Sequence, residues 1–138
     1  MSAQGHRTVP HTADVRIEAW APNREACIAE AVSGLVATFA DTAAATPDGE
    51  ITTDVTAESD PDLLVAVLDE VIYLLDTRGI VPCHTDLTPG PTGVRMRLEV
   101  VPVSAVEIVG AAPKAVTLHD LRFEPADGGW RCGVTVDV

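Results

Sequence analysis

Apolar and polar residues alternate from Val15 onward: Val15, Ile17 and Ala19 fall on one side, Arg16, Glu18 and Trp20 on the other. Successive side chains leave a strand on opposite faces, so a period of two predicts a half-buried strand. Asp14 has the parity of the polar side. After Pro22 the period changes. Ile28, Val32, Leu35 and Phe39 recur at steps of four, three and four, the stripe of a helix facing a core. Asn23 stands where a side-chain oxygen can accept from an orphan backbone N–H at the helix start. Residues 41–49 are small and polar with a Pro-Asp-Gly turn, a loop. Ile51, Thr53, Val55 and Ala57 then alternate with Thr52, Asp54 and Thr56, which predicts a second strand.

A second helix begins at Asp60-Pro61-Asp62, with Asp60 as the cap and Pro61 at the first helical position. Leu63, Leu64, Val67, Leu68, Val71, Ile72, Leu74 and Leu75 make it apolar on most faces, so it is expected to be buried on two sides. Gly79 can take the left-handed conformation that ends it. Residues 80–86 read as a short strand that Pro82 confines to an edge or a strand start. Val94, Met96, Leu98 and Val100 alternate with Arg95, Arg97 and Glu99 in a further strand, while residues 103–109 are apolar without a clear period. Residues 114–123 read as a strand with Val116 and Leu118 inward and a bulge before Leu121 and Phe123. Asp127-Gly128 marks a tight hairpin turn. Trp130, Cys132, Val134 and Val136 then return on the core face, with Arg131, Thr135 and Asp137 on the other. The order predicts an α+β fold: a mostly antiparallel sheet with two helices packed on one side. It forms a single compact domain over residues 11–138, preceded by a flexible leader over residues 1–10.

Length and composition narrow the function. A chain of 138 residues is one domain. With two Trp, two Phe and one Tyr, its core must be built from Val, Leu, Ile and Ala. A net charge of −12 disfavours direct binding to nucleic acid, whose phosphates would repel it, and suits a basic partner surface or a cation. Cys27, Cys83 and Cys132 are odd in number and widely spaced, as expected of free thiols in a reducing compartment. There is no apolar segment of the kind a secretory signal needs and no apolar run of about 18 residues, so a cytoplasmic protein without a membrane span is expected.

The candidate chemistry sits at two strand ends. In an antiparallel pair the start of one strand lies beside the end of the other, which could bring the Asp14 and Asp137 carboxylates within a few ångströms. Two such carboxylates repel, and a divalent cation between them removes the repulsion. Oxygen donors select a hard ion, Ca²⁺ or Mg²⁺, and Val138 would add a terminal carboxylate. The alternative is two solvated acids far apart. Lys114 is the only lysine among nine basic residues, which hints at a need for an ammonium group there. His11, His84 and His119 have neither His-x-x-x-His nor Cys/His spacing, so zinc has no support. They read as hydrogen-bonding loop or surface residues, with His11 and His119 candidates to support the metal ligands from behind. No phosphate-binding loop, nucleophile elbow or dinucleotide motif is present.

Four blocks in order resemble the archease family. They are His11-Thr-Ala-Asp14 before a strand ending in Trp20, Asp62-Leu-Leu-Val with the helix on to Asp76, Lys114-Ala-Val-Thr-Leu-His119, and Gly129-Trp-Arg followed by Val136-Asp-Val138. The resemblance implies an α+β fold and a non-catalytic, chaperone-like activator of the RtcB-type RNA ligase of tRNA splicing and RNA repair, promoting the ligase's guanylylation and turnover. It also implies a divalent ion, usually calcium, held through Asp14, Asp137 and Val138, and a part for Lys114 in activation. The segment before Lys114 is shorter than is usual in the family, and Leu118 stands where a Tyr is common. Two other classes compete on the residues alone: a small metal-dependent hydrolase or nuclease using the same carboxylates, for which no general base or basic groove is evident, and a metal-free binding module.

Overall fold

A computed structural model describes residues 3–10 and 14–138. The first strand, β1 (Gly5–Pro10), pairs antiparallel with β2 (Asp14–Ala21). Residues 5–10 are therefore not a loose leader but an edge strand. Its inward residue His6 places Nδ1 3.3 Å from Glu30 of the first helix, and Gly5 leaves room for the Trp20 ring across the ladder. Helix α1 (Arg24–Ala37) is capped by Asn23, whose side chain accepts from the Ala26 N–H at 2.8 Å. Ile28, Val32 and Leu35 are fully buried along its expected stripe, and Phe39 is buried just beyond its end.

A two-residue strand, β3 (Ala40–Asp41), precedes β4 (Gly49–Thr56). Helix α2 (Asp60–Arg78) starts one residue earlier than its sequence suggests. Ser59 is the cap, accepting from the Asp62 N–H, and Asp60 instead takes the Arg24 guanidinium at 2.8 Å. Gly79 closes the helix in the left-handed conformation, φ 61°. Leu63, Leu64, Val67, Leu68, Val71, Ile72 and Leu74 are buried, and α2 packs against α1 and strands of both larger sheets, which explains its apolar faces. β5 (Ile80–Pro89) and β6 (Gly93–Pro102) follow, then a single 3₁₀ turn and the short β7 (Glu107–Ile108). β8 (Ala115–Ala126) and β9 (Gly129–Asp137) form the expected hairpin. Both central turn residues, Asp127 and Gly128, have positive φ, as a type I′ turn demands.

Among the described residues the strand pairings are antiparallel, but the strands divide among three sheets: β1-β2-β9-β8, β4-β6-β5 and the small β3-β7. Both helices pack on strands of both larger sheets, α1 on β1, β2, β9 and β5, α2 on β8, β4 and β5. The core is aliphatic, with Ile17, Leu64, Leu68, Met96, Leu98 and Val134 among its fully buried members. β5 is an edge strand, as Pro82 requires, with a register irregularity at that residue. The expected bulge in β8 lies between Thr117 and Arg122. It turns Leu118 outward, to 71% exposure, which corrects the inward placement that uninterrupted alternation from Val116 would give. No helix among the described residues is long and apolar enough to cross a membrane.

Candidate functional site

The site is a consequence of strand parity. Inward-facing residues of β2 (Ile17, Ala19, Ala21) and of β9 (Cys132, Val134, Val136) are buried in the core, so Asp14 and Asp137 belong to the opposite, outer face. The β2–β9 register then makes them direct partners: Asp14 lies opposite Asp137, Val15 opposite Val136, Arg16 opposite Thr135. Opposed side chains of an antiparallel pair have Cβ atoms about 5 Å apart. Asp137 is exposed and Val138 half-buried, while Asp14 is half-buried with its Oδ1 atom sealed from solvent.

Lys114 joins the same edge. Its backbone N–H donates to the Asp137 carbonyl at 2.7 Å, and the next residue, Ala115, is the ladder partner of Asp137 on its other side. The Lys114 side chain is exposed. Asp14, Asp137 and Ala115 thus stand in one row across β2, β9 and β8, with Lys114 just before Ala115 and Val138 just after Asp137. His119 sits on the β8 bulge, 81% exposed, with Nε2 3.2 Å from the Asp120 carboxylate. His11 lies outside the described residues. His84 is on β5, in the other large sheet.

One row inward, Arg16 crosses β9 to reach β8. Its guanidinium donates to Thr135 Oγ1 at 3.0 Å and to the Asp120 carbonyl at 2.9 Å. Gly133 provides the crossing point, since a Cβ there would lie 2.3 Å from Arg16 Nη2. Thr135 is buried beneath this arrangement, and Asp120 adopts a positive φ of 53° at the bulge. Arg16 therefore ties three strands together in register beside the aspartate pair. The sequence marks neither Arg16 nor Gly133, because each role depends on which strands are neighbours.

The donor set decides which ion would fit. Among the described residues no three His, Cys, Asp or Glu side chains converge, so a site built wholly from side chains is not present. What the edge offers is two opposed carboxylates together with main-chain oxygens, an all-oxygen set that suits a hard divalent cation and not zinc. The edge is also open. An apolar cavity of about 660 Å³ is lined by Trp20, Trp130 and their neighbours at the far end of β2 and β9. Trp20 lies six residues along β2 from Asp14, roughly 20 Å.

Over residues 6–138 the chain matches the model of the archease protein family (MTH1598/TM1083). It is 50% identical over 137 residues to a protein of Mycobacterium tuberculosis named "Probable protein archease", covering 99% of this chain and 76% of that one. It is 29% identical over 136 residues to "Protein archease" of Archaeoglobus fulgidus, covering 96% and 98%. Two solved structures share its fold. The solution structure of protein 1598 of Methanobacterium thermoautotrophicum superposes with a TM-score of 0.79 at 22% identity, covering 97% of this chain and 99% of that one. The crystal structure of an archease from Thermotoga maritima, described as a possible chaperone, gives 0.68 at 19% identity, with 96% of each chain covered.

Proposed function

The chain belongs to the archease family, and on that premise we propose that it is a non-catalytic, metal-binding protein cofactor of an RtcB-type RNA ligase. It promotes guanylylation of the ligase and keeps it turning over in tRNA splicing or RNA repair in the cytoplasm. The observation that carries this reading is the direct pairing of Asp14 with Asp137, with Lys114 joined to Asp137 through its backbone. Asp14, Asp137 and the oxygens of Val138 would hold Ca²⁺, with Mg²⁺ the alternative. The ion supplies positive charge that allows two facing carboxylates to coexist at an exposed edge.

The protein's own residues do the rest. Arg16 holds the three strands in the register that keeps the aspartates opposed. Lys114 sets a flexible ammonium group at the rim of the same edge, where it can reach an anionic group on a docked partner. The acidic body, at a net charge of −12, is attracted to a basic protein surface and repelled by RNA backbone, which fits a partner that is the enzyme and not its substrate. An open edge, and not an enclosed cleft, suits action against another protein's site. The test is single-turnover guanylylation of an RtcB-type ligase with and without this protein and Ca²⁺. Acceleration by the wild type is expected, with loss in Asp137→Asn and in Lys114→Ala. Lys114→Ala should retain the calcium-induced rise in melting temperature that Asp137→Asn loses. Equal acceleration by all three proteins would defeat the assignment.

A further inference from the structure

Cys27 and Cys132 are 105 residues apart in sequence, yet the helix and strand that carry them pack on each other. Cys27 lies on the buried face of α1, with Sγ 3.7 Å from the carbonyl of Ala19 on β2. Ala19 is in turn the direct ladder partner of Cys132 on β9, and Ala19 and Cys132 both face the core. With only a methyl at Ala19, α1 packs on β9, and both thiols lie beside that residue, Cys27 over its carbonyl and Cys132 opposite it on the ladder. Small residues at the contact are what a cross-link between a helix and a strand needs, because a disulfide tolerates Cα separations of only about 4–7 Å.

The two thiols are not equivalent. The Cys132 interaction and burial push the Cys27 thiol well above its ordinary value. The Cys27 interaction pulls Cys132 down, helped by the Ala19 backbone and the nearby Arg16 charge. Cys132 also lines the 660 Å³ cavity between Trp20 and Trp130, which opens to the surface. Cys132 is only 5% exposed, so this cavity is the approach a small reagent would take to it, with the fully buried Cys27 behind. The third cysteine, Cys83, is half-buried on β5, its Sγ 3.3 Å from the Glu99 carbonyl, and burial pushes its thiol up.

We propose that Cys132 and Cys27 form a peroxide-reactive dithiol that closes to a disulfide between β9 and α1. The Cys132 thiolate attacks one oxygen of a hydroperoxide. The O–O bond breaks, and the departing oxygen takes the proton that Cys132 had released, leaving a sulfenic acid. The Cys27 sulfur then attacks the sulfenic sulfur, the S–O bond breaks, and that oxygen leaves as water with the Cys27 proton. For hydrogen peroxide, two thiols are oxidised to one disulfide and the peroxide is reduced to two waters. The product ties α1 to the strand that ends in Asp137, closing a loop of more than a hundred residues.

The test uses the full chain, reduced, desalted and treated with hydrogen peroxide in small excess, and it needs neither metal nor ligase. The intact mass should fall by two hydrogens. Alkylation in denaturant should find one thiol where three stood, and digestion should yield a Cys27–Cys132 peptide that a reductant releases. The melting temperature should rise by several degrees on closure. Cys83→Ser should behave as the wild type, and Cys27→Ser should leave a Cys132 sulfenic acid that dimedone traps. Oxidation of Cys83 ahead of the pair, or conversion of wild-type Cys132 to sulfinic acid with no bridged peptide, would overturn the proposal. Mapping of the wild type decides the matter even if Cys27→Ser folds poorly.

Discussion

Replacing Asp137 by Asn keeps the size of the side chain and removes one of two opposed charges. Asp14 and Asp137 are direct ladder partners, and opposed Cβ atoms lie about 5 Å apart. Two unit charges at about 5 Å repel by about 3 kcal/mol at an effective dielectric constant of about 20, and by about 1 kcal/mol in bulk water. Asp137 is exposed, so solvent screens the pair and the lower figure applies. Without metal the variant should therefore be more stable than the wild type by about 1 kcal/mol, or roughly 3 °C in melting temperature for a chain of this length. Calcium should reverse the order. At a free concentration about 100-fold above Kd, an ion bound only to the folded state adds about 2.7 kcal/mol, which the wild type should gain and the variant should largely forgo. Differential scanning calorimetry in EDTA and in calcium, at one fixed ionic strength, reads both halves. Should the variant melt lower than the wild type in EDTA, the Asp137 carboxylate is a structural acceptor. Should both proteins gain equally from calcium, the ion is held elsewhere.

Three further outcomes follow from the packing and the charges. Leu68→Ala, at a fully buried position of α2, should cost about 2–5 kcal/mol, read as a lower urea midpoint at unchanged slope. Gly133→Ala should displace the Arg16 guanidinium, forfeiting its bonds to Thr135 and Asp120 for a net loss of about 1–2 kcal/mol; Arg16→Ala added to it should cost almost nothing more, and full additivity of the two in a double-mutant cycle would contradict the strap. On β4, the Arg95 guanidinium 2.9 Å away holds the Asp54 carboxyl below the usual carboxylate range. A depressed folded value means stability present above the unfolded carboxylate pKa of about 3.9 and lost as pH falls through the folded one, so an NMR titration should show Asp54 returning to that ordinary value in Arg95→Ala.

The elements legible in the chain are those whose burial is one-sided and regular. The β6 alternation of Val94, Met96, Leu98 and Val100 is buried residue for residue, and the stripe on α1 and the Asp127-Gly128 turn follow the same logic. Illegible parts have identifiable causes. β1 shows no apolar alternation because its inward His6 meets Glu30 and its Gly5 yields space to Trp20. Both positions are filled for local reasons that hydropathy does not register. Ser59 and Asp60 are equally good cap formers, and the choice of Ser59 frees Asp60 to pair with Arg24 from another helix. Leu118 changes face because the bulge spends extra residues on β8, and parity cannot be carried across a bulge. The division into three sheets is likewise invisible, since alternation states which face a residue takes and not which strand lies beside it.

The same distinction separates what could be foreseen at the site from what could not. Parity alone places Asp14 and Asp137 on an outer face. Opposing them needs a register, and register is specified because a slip of one residue would put Ile17, Val134 and Val136 into water and the aspartates into the core. Burial on the inner face therefore enforces the outer-face pairing, although it leaves two like charges facing each other. A structural role alone does not explain that choice. Asn at either position would preserve the parity without the repulsion, and the proposed ion accounts for carboxylates at both. Arg16 does not supply the positive charge directly, because its guanidinium is spent on Thr135 and the Asp120 carbonyl one row away. On the proposed reading the compensating cation is a bound ion, and that is why the calorimetric inversion in Asp137→Asn is the measurement on which the site stands or falls.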